Sequence, residues 1–378
     1  MIIQSTRVWI DESFKKAAIE IRDGKITGIY PHGSREGAID YGKNRILPGL
    51  IDVHCHGYHG MTCNEVTKEG MKLWAHDLLQ EGCTSFEATT STAAMEDLDC
   101  SFGILADIMD EGTDGAEILG IHVEGPLISA EFRGAQEISQ LVKPTVEVMT
   151  KWQSLARGKI NYVAIAPEMD DEHRTIKWCK ENNIKVAIGH TGASYDECLQ
   201  ASLDGATSFT HTYNGMRGLH HREPGVVGAA LSLDNMYAEL IGDGVHVHFV
   251  PAKILARAKG KDKLLLITDS VQVKGLPVGK YEKGLSTVEV KEDGCAYLPD
   301  GRLAGSSNKL IDEVRKLIEI AGVDEQIVIN AATKNPATFL GVEDKKGQLL
   351  RGNDADIIVI DDNYKVLTTL KDNKIYNW

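Results

Sequence analysis

The chain of 378 residues has no excess of positive charge: 41 lysines and arginines stand against 55 aspartates and glutamates, a formal net charge of -14. A nucleic-acid binder needs a basic stripe to displace counterions from phosphates, so that class is excluded, while an anionic small substrate stays admissible if one local pocket is cationic. No apolar run approaches the roughly 20 residues of a membrane span, and the opening MIIQSTRVWIDES has no basic region followed by an apolar one. A soluble, cytoplasmic protein with no membrane partner is expected. The cysteines (Cys55, Cys63, Cys83, Cys100, Cys179, Cys198 and Cys295) are odd in number and never spaced C-x-x-C. That pattern argues against a disulfide framework or a structural zinc knuckle and for reduced thiols. Low-complexity tracts are missing too.

What is present is an alternation. From Asn44 onward, eight short β-rich runs are separated by amphipathic segments: RILPGLIDVH, TSFEATT, EILGIHVEG, INYVAIAPE, KVAIGH, TSFTHTYN, YAELIGDG and KLLLITDS. The segments 67–82, 170–183 and 194–205 carry apolar residues at helical spacing and stop at Gly or Asn. Eight β/α repeats predict a closed (β/α)8 barrel of the TIM type. The competing doubly wound open sheet would carry a glycine-rich phosphate loop after its first strand, and none is there. The two ends read differently. Residues 5–31 and 347–378 alternate apolar and polar positions around turn signals, and neither is large enough for its own core. Residues 1–47 and 343–378 are therefore expected to pair into one small β-sandwich domain, with the barrel at 48–342 and a hairpin insert near 274–303.

In a parallel barrel the active site lies at the C-terminal ends of the strands, so the polar residues that close each run are the ones to collect. They are His54 and His56; His122 and Glu124; Glu168; His190; His211 and Asn214; the GDGVHVH segment; and Asp269. Each could be an ordinary hydrogen-bonding residue. So many strands ending in His, Glu or Asp point instead to a site. Side chains alternate faces along a strand, so His54 and His56 point one way and Cys55 the other. Imidazole and carboxylate suit zinc, iron, manganese or cobalt, and an ion with an open position makes hydroxide available near neutral pH. Glu124, His190 and His211 are one candidate ligand set. Adding His54 and His56, with Glu124 bridging, would hold a second ion, and Asp269 is the candidate general base. Cys55 and Cys63 read as packed thiols, and His59, His173 and His248 as surface or core histidines.

The layout resembles the amidohydrolase superfamily. The segments HVEGP, APE, GHTGASYDE, THTYNGM, REPG, GDGVHV, ITDS and LAGSS together resemble the N-acetylglucosamine-6-phosphate deacetylase family within it, over nearly the whole chain. The resemblance implies hydrolysis of the acetamido group of a sugar phosphate, one or two divalent metals per chain, and a homodimer. Matched position by position, it makes Glu124, His190 and His211 the ligands and Asp269 the general acid and base. It also makes Ala135, Asn214, Gly215, Arg222, His246 and the loop Leu303, Ala304, Gly305 and Ser306 sugar or phosphate contacts. One position departs from the pattern. Where many relatives place a histidine that polarises the acetyl carbonyl, this chain has Gln136, whose amide N–H can donate to that oxygen but carries no full charge. Arg222, in GLHHREPG, offers a planar fork for phosphate. Three rival readings remain: the N-acetylgalactosamine-6-phosphate epimer, a cyclic amidohydrolase or deaminase, and a binding protein that kept the fold without its chemistry.

Overall fold

The computed structural model describes residues 1–283 and 286–378. All eight β-rich runs form strands of one parallel sheet. We label them β1 (Leu50–Cys55), β2 (Cys83–Thr90), β3 (Glu117–Glu124), β4 (Ile160–Ile165), β5 (Lys185–Ile188), β6 (Ser208–Phe209), β7 (Tyr237–Ile241) and β8 (Leu264–Ile267). Each pairs in parallel with the next in chain order. Just beyond β8 the circle closes: Asp269 N–H donates to His54 C=O at 2.9 Å and His56 N–H to Ser270 C=O at 2.7 Å. Residues of the candidate site thus make the seam of the barrel.

The strands are buried along nearly their whole length, as expected where helices cover a parallel sheet. The first covering helix, Lys68–Gln80, buries Met71, Trp74, Ala75, Leu78 and Leu79, the i, i+3, i+4, i+7 stripe of an amphipathic helix, and is capped by Thr67. Tyr195–Asp204 opens with a reciprocal Ser194–Glu197 capping box. The helix expected over 170–183 is shorter, Arg174–Glu181, because the Asp170 carboxylate takes the Thr175 and Ile176 N–H groups at 3.0 and 2.9 Å and sets its start. Inside the barrel, Ile51, Val53, Tyr162, Ala164, Ala187, Ile241, Leu265 and Ile267 meet one another, and Phe339 of the helix Lys334–Leu340 packs beneath them. The N-terminal end is filled with apolar side chains, which leaves the opposite mouth for chemistry.

The chain ends pair as expected, but in one sheet. Strands Ile2–Ile10, Ser13–Arg22, Lys25–Pro31, Ile39–Asp40, Arg45–Pro48, Ile357–Ile360, Val366–Lys371 and Lys374–Asn377 form a single eight-stranded sheet. This sheet curls back on itself into the expected small β-sandwich domain, until Ile26 N–H reaches Asn353 C=O at 2.9 Å and Gly352 N–H reaches Ile26 C=O at 2.8 Å. Ile3, Ile19, Ile21, Ile46, Ile357 and Val359 form its core. The first β-rich run is split. Arg45–Pro48 pairs antiparallel with Ile357–Ile360, and the barrel strand begins only at Leu50, because one apolar run changes partners without changing its periodicity. The insert is larger than a hairpin: Gly279–Lys283, Ser286–Val290, Cys295–Tyr297 and Leu303–Ser306 make a four-stranded antiparallel sheet. Of the insert, residues 284 and 285 lie outside the described residues.

A buried ionic network joins the end sheet to the barrel. Lys346 Nζ lies 2.7 Å from Glu117, 3.0 Å from Asp354 and 2.9 Å from Asp356, and Lys371 Nζ lies 2.9 Å from Asp356 and 3.2 Å from Glu117. Both ammonium groups are nearly inaccessible and share Asp356 and Glu117, so deleting one leaves the buried Asp356 with a single counter-charge instead of two. Lys371→Met should cost about 1–3 kcal/mol in urea unfolding. Lys151→Met, which removes the exposed ion pair to Asp99, should cost about 1 kcal/mol or less. Equal losses would mean that burial of the network contributes nothing.

Candidate active site

The mouth of the barrel collects the side chains that close its strands. His190, His211 and Asp269 leave β5, β6 and β8 with φ of 48, 25 and 46 degrees. A left-handed backbone is costly for residues with a Cβ and persists where the surroundings enforce it, commonly at functional sites. Glu124 Oε1 lies 3.0 Å from His190 Nε2 and 2.9 Å from His211 Nε2, and these two nitrogens are 3.0 Å apart. The other carboxylate oxygen, Oε2, lies 3.2 Å from His56 Nε2. His56 Nε2 is in turn 3.1 Å from His54 Nε2 and 3.2 Å from Asp269 Oδ1. Glu124 therefore spans two groups, one with His190 and His211, the other with His54, His56 and Asp269. Asp269, expected beside the ligands, stands in the second group.

The remaining ring nitrogens decide what these contacts mean. His190 Nδ1 donates to Phe132 C=O at 2.8 Å, His211 Nδ1 to Asn214 C=O at 3.1 Å, and His54 Nδ1 to Glu239 Oε2 at 2.9 Å. A neutral imidazole that donates from Nδ1 has only a lone pair on Nε2. Lone pairs of His190, His211 and Glu124 would then meet at about 3 Å with no proton between them, a repulsive arrangement that a cation among them turns into a ligand set. Without a cation the same crowding shifts protonation. Burial disfavours charge on His190, yet the adjacent Glu124 carboxylate raises its pKa above the ordinary range, while Glu124, against its own burial, is held well below it by His190 and His54. Burial would raise the Asp269 pKa as well, but the hydrogen bond from His56 and the charge of His54 hold it at about 2.

Two strand-end residues serve elsewhere. His122 stacks on Tyr162, ring centroids 4.0 Å apart, and burial together with the charge of His54 keeps its pKa well below the ordinary range. Glu168 accepts hydrogen bonds from Thr191 Oγ1 and, at 2.7 Å, from Gly192 N–H, which shapes the turn after β5. Cys55 and Cys63 are buried thiols, and His59 pairs with Asp77 away from the cluster. Conversely, Glu239 escaped notice. It lies inside β7, takes His54 Nδ1–H and His211 N–H on one oxygen, both at 2.9 Å, and the Tyr162 hydroxyl on the other at 2.7 Å. An acidic residue within the apolar run YAELIG was the available signal.

Around the cluster, Gln136 directs its amide toward Glu124 and His190, at 3.3 and 3.4 Å. Ala135 is exposed beside it, and Asn214 and Gly215 follow His211 in the loop that orients that ring. His246 is bound through Nδ1 to Asp243 Oδ2 at 2.6 Å, and its buried Nε2 has no partner among the described residues. The strand Leu303–Ser306, which includes Ala304 and Gly305, runs beside Asp269, with Ser306 N–H on Asp269 C=O at 3.0 Å. Gly305, at φ 104 degrees, is required there, since a Cβ would lie 3.0 Å from that carbonyl and 2.5 Å from Val271 Cγ1. Arg222 is different. It lies on the exposed loop 217–223, partnered by His221 at 2.9 Å, and makes no hydrogen bond to the cluster among the described residues.

A (β/α)8 barrel with this strand-end cluster defines a metal-dependent hydrolase class, and the amidohydrolase family matches residues 45–376, so the chain belongs to that family. Among its relatives, the N-acetylglucosamine-6-phosphate deacetylase of Lysinibacillus sphaericus is 36% identical over 94% of this chain and 92% of its own. The N-acetylgalactosamine-6-phosphate deacetylase of Escherichia coli O157:H7 is 31% identical over 95% and 93%. The solved structure of an N-acetyl-D-glucosamine-6-phosphate deacetylase mutant from Mycobacterium smegmatis, in complex with N-acetyl-D-glucosamine-6-phosphate, superposes with a TM-score of 0.93 at 27% identity over 99% of this chain and 98% of that one.

Glu239 supports two members of the cluster through one oxygen, so Glu239→Gln should reduce metal affinity about 10- to 100-fold, measured by competition with a chelator. Affinity equal to that of the parent chain would show that the His54 ring and the His211 backbone are held without it.

Proposed function

We infer that the chain hydrolyses the acetamido bond of N-acetylglucosamine-6-phosphate, yielding glucosamine-6-phosphate and acetate. The observation that carries this reading is the convergence of Glu124, His190 and His211 on one point with Asp269 beside it, at the mouth of a barrel that belongs to the amidohydrolase family. Glu124, His190 and His211 would hold one divalent transition metal, drawn from zinc, iron, manganese and cobalt, and His54 and His56 with Glu124 would hold a second. When bound, such an ion polarises the acyl oxygen and acidifies water. Asp269 takes the proton of the attacking water and delivers it to the departing nitrogen, so one carboxylate serves as base and then as acid. His246 offers its Nε2, which has no partner among the described residues, to the sugar phosphate, and Gln136 offers amide hydrogens to the acyl oxygen.

The exposure of Arg222 supports recognition of the phosphate in the site of a second subunit, with the chain acting as a homodimer. Leu219, exposed on the same loop, supplies apolar surface for that contact. No helix among the described residues is long and apolar enough to cross a membrane, and the free thiols suit a cytoplasmic location. The galactosamine epimer is a second reading, favoured by the Escherichia coli relative, and acetate release from both epimers and from unphosphorylated N-acetylglucosamine separates the possibilities.

Asp269→Asn should lower kcat for the preferred epimer by about 10² to 10⁴ while the ion of the Glu124, His190 and His211 group stays bound. Turnover near that of the parent chain removes Asp269 from proton transfer. Arg222→Ala should lower kcat/KM about ten- to a hundredfold for the phosphorylated sugar, since charge-assisted hydrogen bonds are worth roughly 1.5–3 kcal/mol each. The unphosphorylated sugar should be little affected. Equal losses on both substrates exclude a phosphate contact.

A further inference from the structure

Gln136 stands where a charged donor would need no orientation, and a neutral amide does need one. Its two ends are opposite in polarity. Turned one way it presents N–H donors to the acyl oxygen of a substrate, and turned the other way it presents a second acceptor. Thr92, in the loop after β2, makes the choice through its backbone N–H, and its hydroxyl adds a second contact that holds the amide there. Gln136 Oε1 accepts from the Thr92 hydroxyl and, at 3.2 Å, from the Thr92 backbone N–H. That backbone group can only donate, so the flipped amide would set donor against donor, and the orientation follows from chemistry. With Oε1 held, Nε2 faces the cluster, 3.3 Å from Glu124 Oε2 and 3.4 Å from His190 Nε2.

Two further features hold the pair. Asn64 grips the residue before Thr92 from both sides: Asn64 Nδ2 donates to Ser91 C=O at 2.8 Å, and Ser91 N–H donates to Asn64 Oδ1 at 2.9 Å. Gly125, at φ 79 degrees directly after Glu124, leaves the space the pair occupies. A Cβ there would lie 2.3 Å from both Gln136 Oε1 and Thr92 Oγ1. One backbone turn therefore positions Glu124 and makes room for the contact that orients Gln136.

We propose that Thr92 is a positioning residue that fixes the Gln136 amide with its hydrogens toward the substrate acyl oxygen, and that Asn64 anchors the loop that carries it. The proposal rests on the deacetylase reading for its substrate. Donors aimed where charge develops in the transition state act on kcat more than on binding of the ground state.

The test is a double-mutant cycle of Thr92→Val and Gln136→Ala. Gln136→Ala should lower kcat about a hundredfold. Thr92→Val, which keeps the backbone donor and removes the hydroxyl, should lower kcat about five- to tenfold. Because Thr92 acts only through Gln136, the double variant should match Gln136→Ala. Metal content and inhibition by glucosamine-6-phosphate, which has no acyl oxygen, should be unchanged in all three. Effects that multiply, a kcat equal to the parent chain in Thr92→Val, or a parallel loss of metal or of glucosamine-6-phosphate affinity would each overturn the assignment. A second readout does not depend on turnover. In cobalt-loaded protein, Thr92→Val should weaken binding of acetate, followed by the visible spectrum, about fivefold, with no further effect in the Gln136→Ala background. Unchanged acetate affinity overturns the proposal even if the chain releases no acetate from either sugar phosphate, a result that would by itself defeat only the deacetylase reading.

Discussion

The structure is organised around a repulsion. Three buried side chains, Glu124, His190 and His211, bring oxygen and nitrogen atoms to within 2.9–3.0 Å of one another, and both imidazoles have already used their Nδ1 hydrogens elsewhere. Left alone, lone pairs so arranged would separate or take up a proton. They stay together because each is the end of a strand in a closed sheet, and the sheet cannot open at one strand without losing pairing at its neighbours. A cation that fits among them is stabilised by geometry prepared in advance, which keeps the reorganisation cost of binding small.

The seam of the barrel does a second task. Asp52 accepts His54 N–H and Thr268 N–H on one oxygen, at 3.2 and 3.3 Å, and the Thr268 hydroxyl on the other at 2.6 Å. One buried carboxylate thereby ties β1 to the chain leaving β8, immediately before His54 on one side and Asp269 on the other. Glu239 acts similarly from β7, joining the His54 ring to the backbone of His211. Buried carboxylates with saturated hydrogen bonding are thus the supports of the site, and the residues they support do the chemistry. The four-stranded insert contributes from above, since its last strand pairs with Ser270 and donates Ser306 N–H to the Asp269 carbonyl.

Much of this was legible as pattern. Eight apolar runs with helical segments between them specify a barrel because burial on both faces removes alternation from parallel strands, and the polar residue that ends each run must then face the mouth. His54, His56, Glu124, His190, His211 and Asp269 were all visible in that way. Glu239 and Thr92 were not. Neither ends a strand with an exposed charge, and each acts on a neighbour far away in sequence, β7 on β1 and the β2 loop on the segment after β3. Likewise, Arg45–Pro48 and Leu50–Cys55 are continuous in hydropathy, and only their hydrogen-bonding partners separate them.

By itself the sequence determined which residue types are available and their order along the chain: a barrel-forming alternation, imidazoles and carboxylates at strand ends, an excess of acidic over basic residues, and a glutamine in the segment after the third strand. Those are local properties, written in spacing and side-chain chemistry. Tertiary structure alone decided which nitrogen of each histidine faces the cluster, that Glu124 reaches both groups with its two oxygens, that His122 and Glu168 turn to other partners, and which end of the Gln136 amide points inward. Each of those depends on a hydrogen bond between residues tens of positions apart, and a bond of that kind exists only once the sheet has closed.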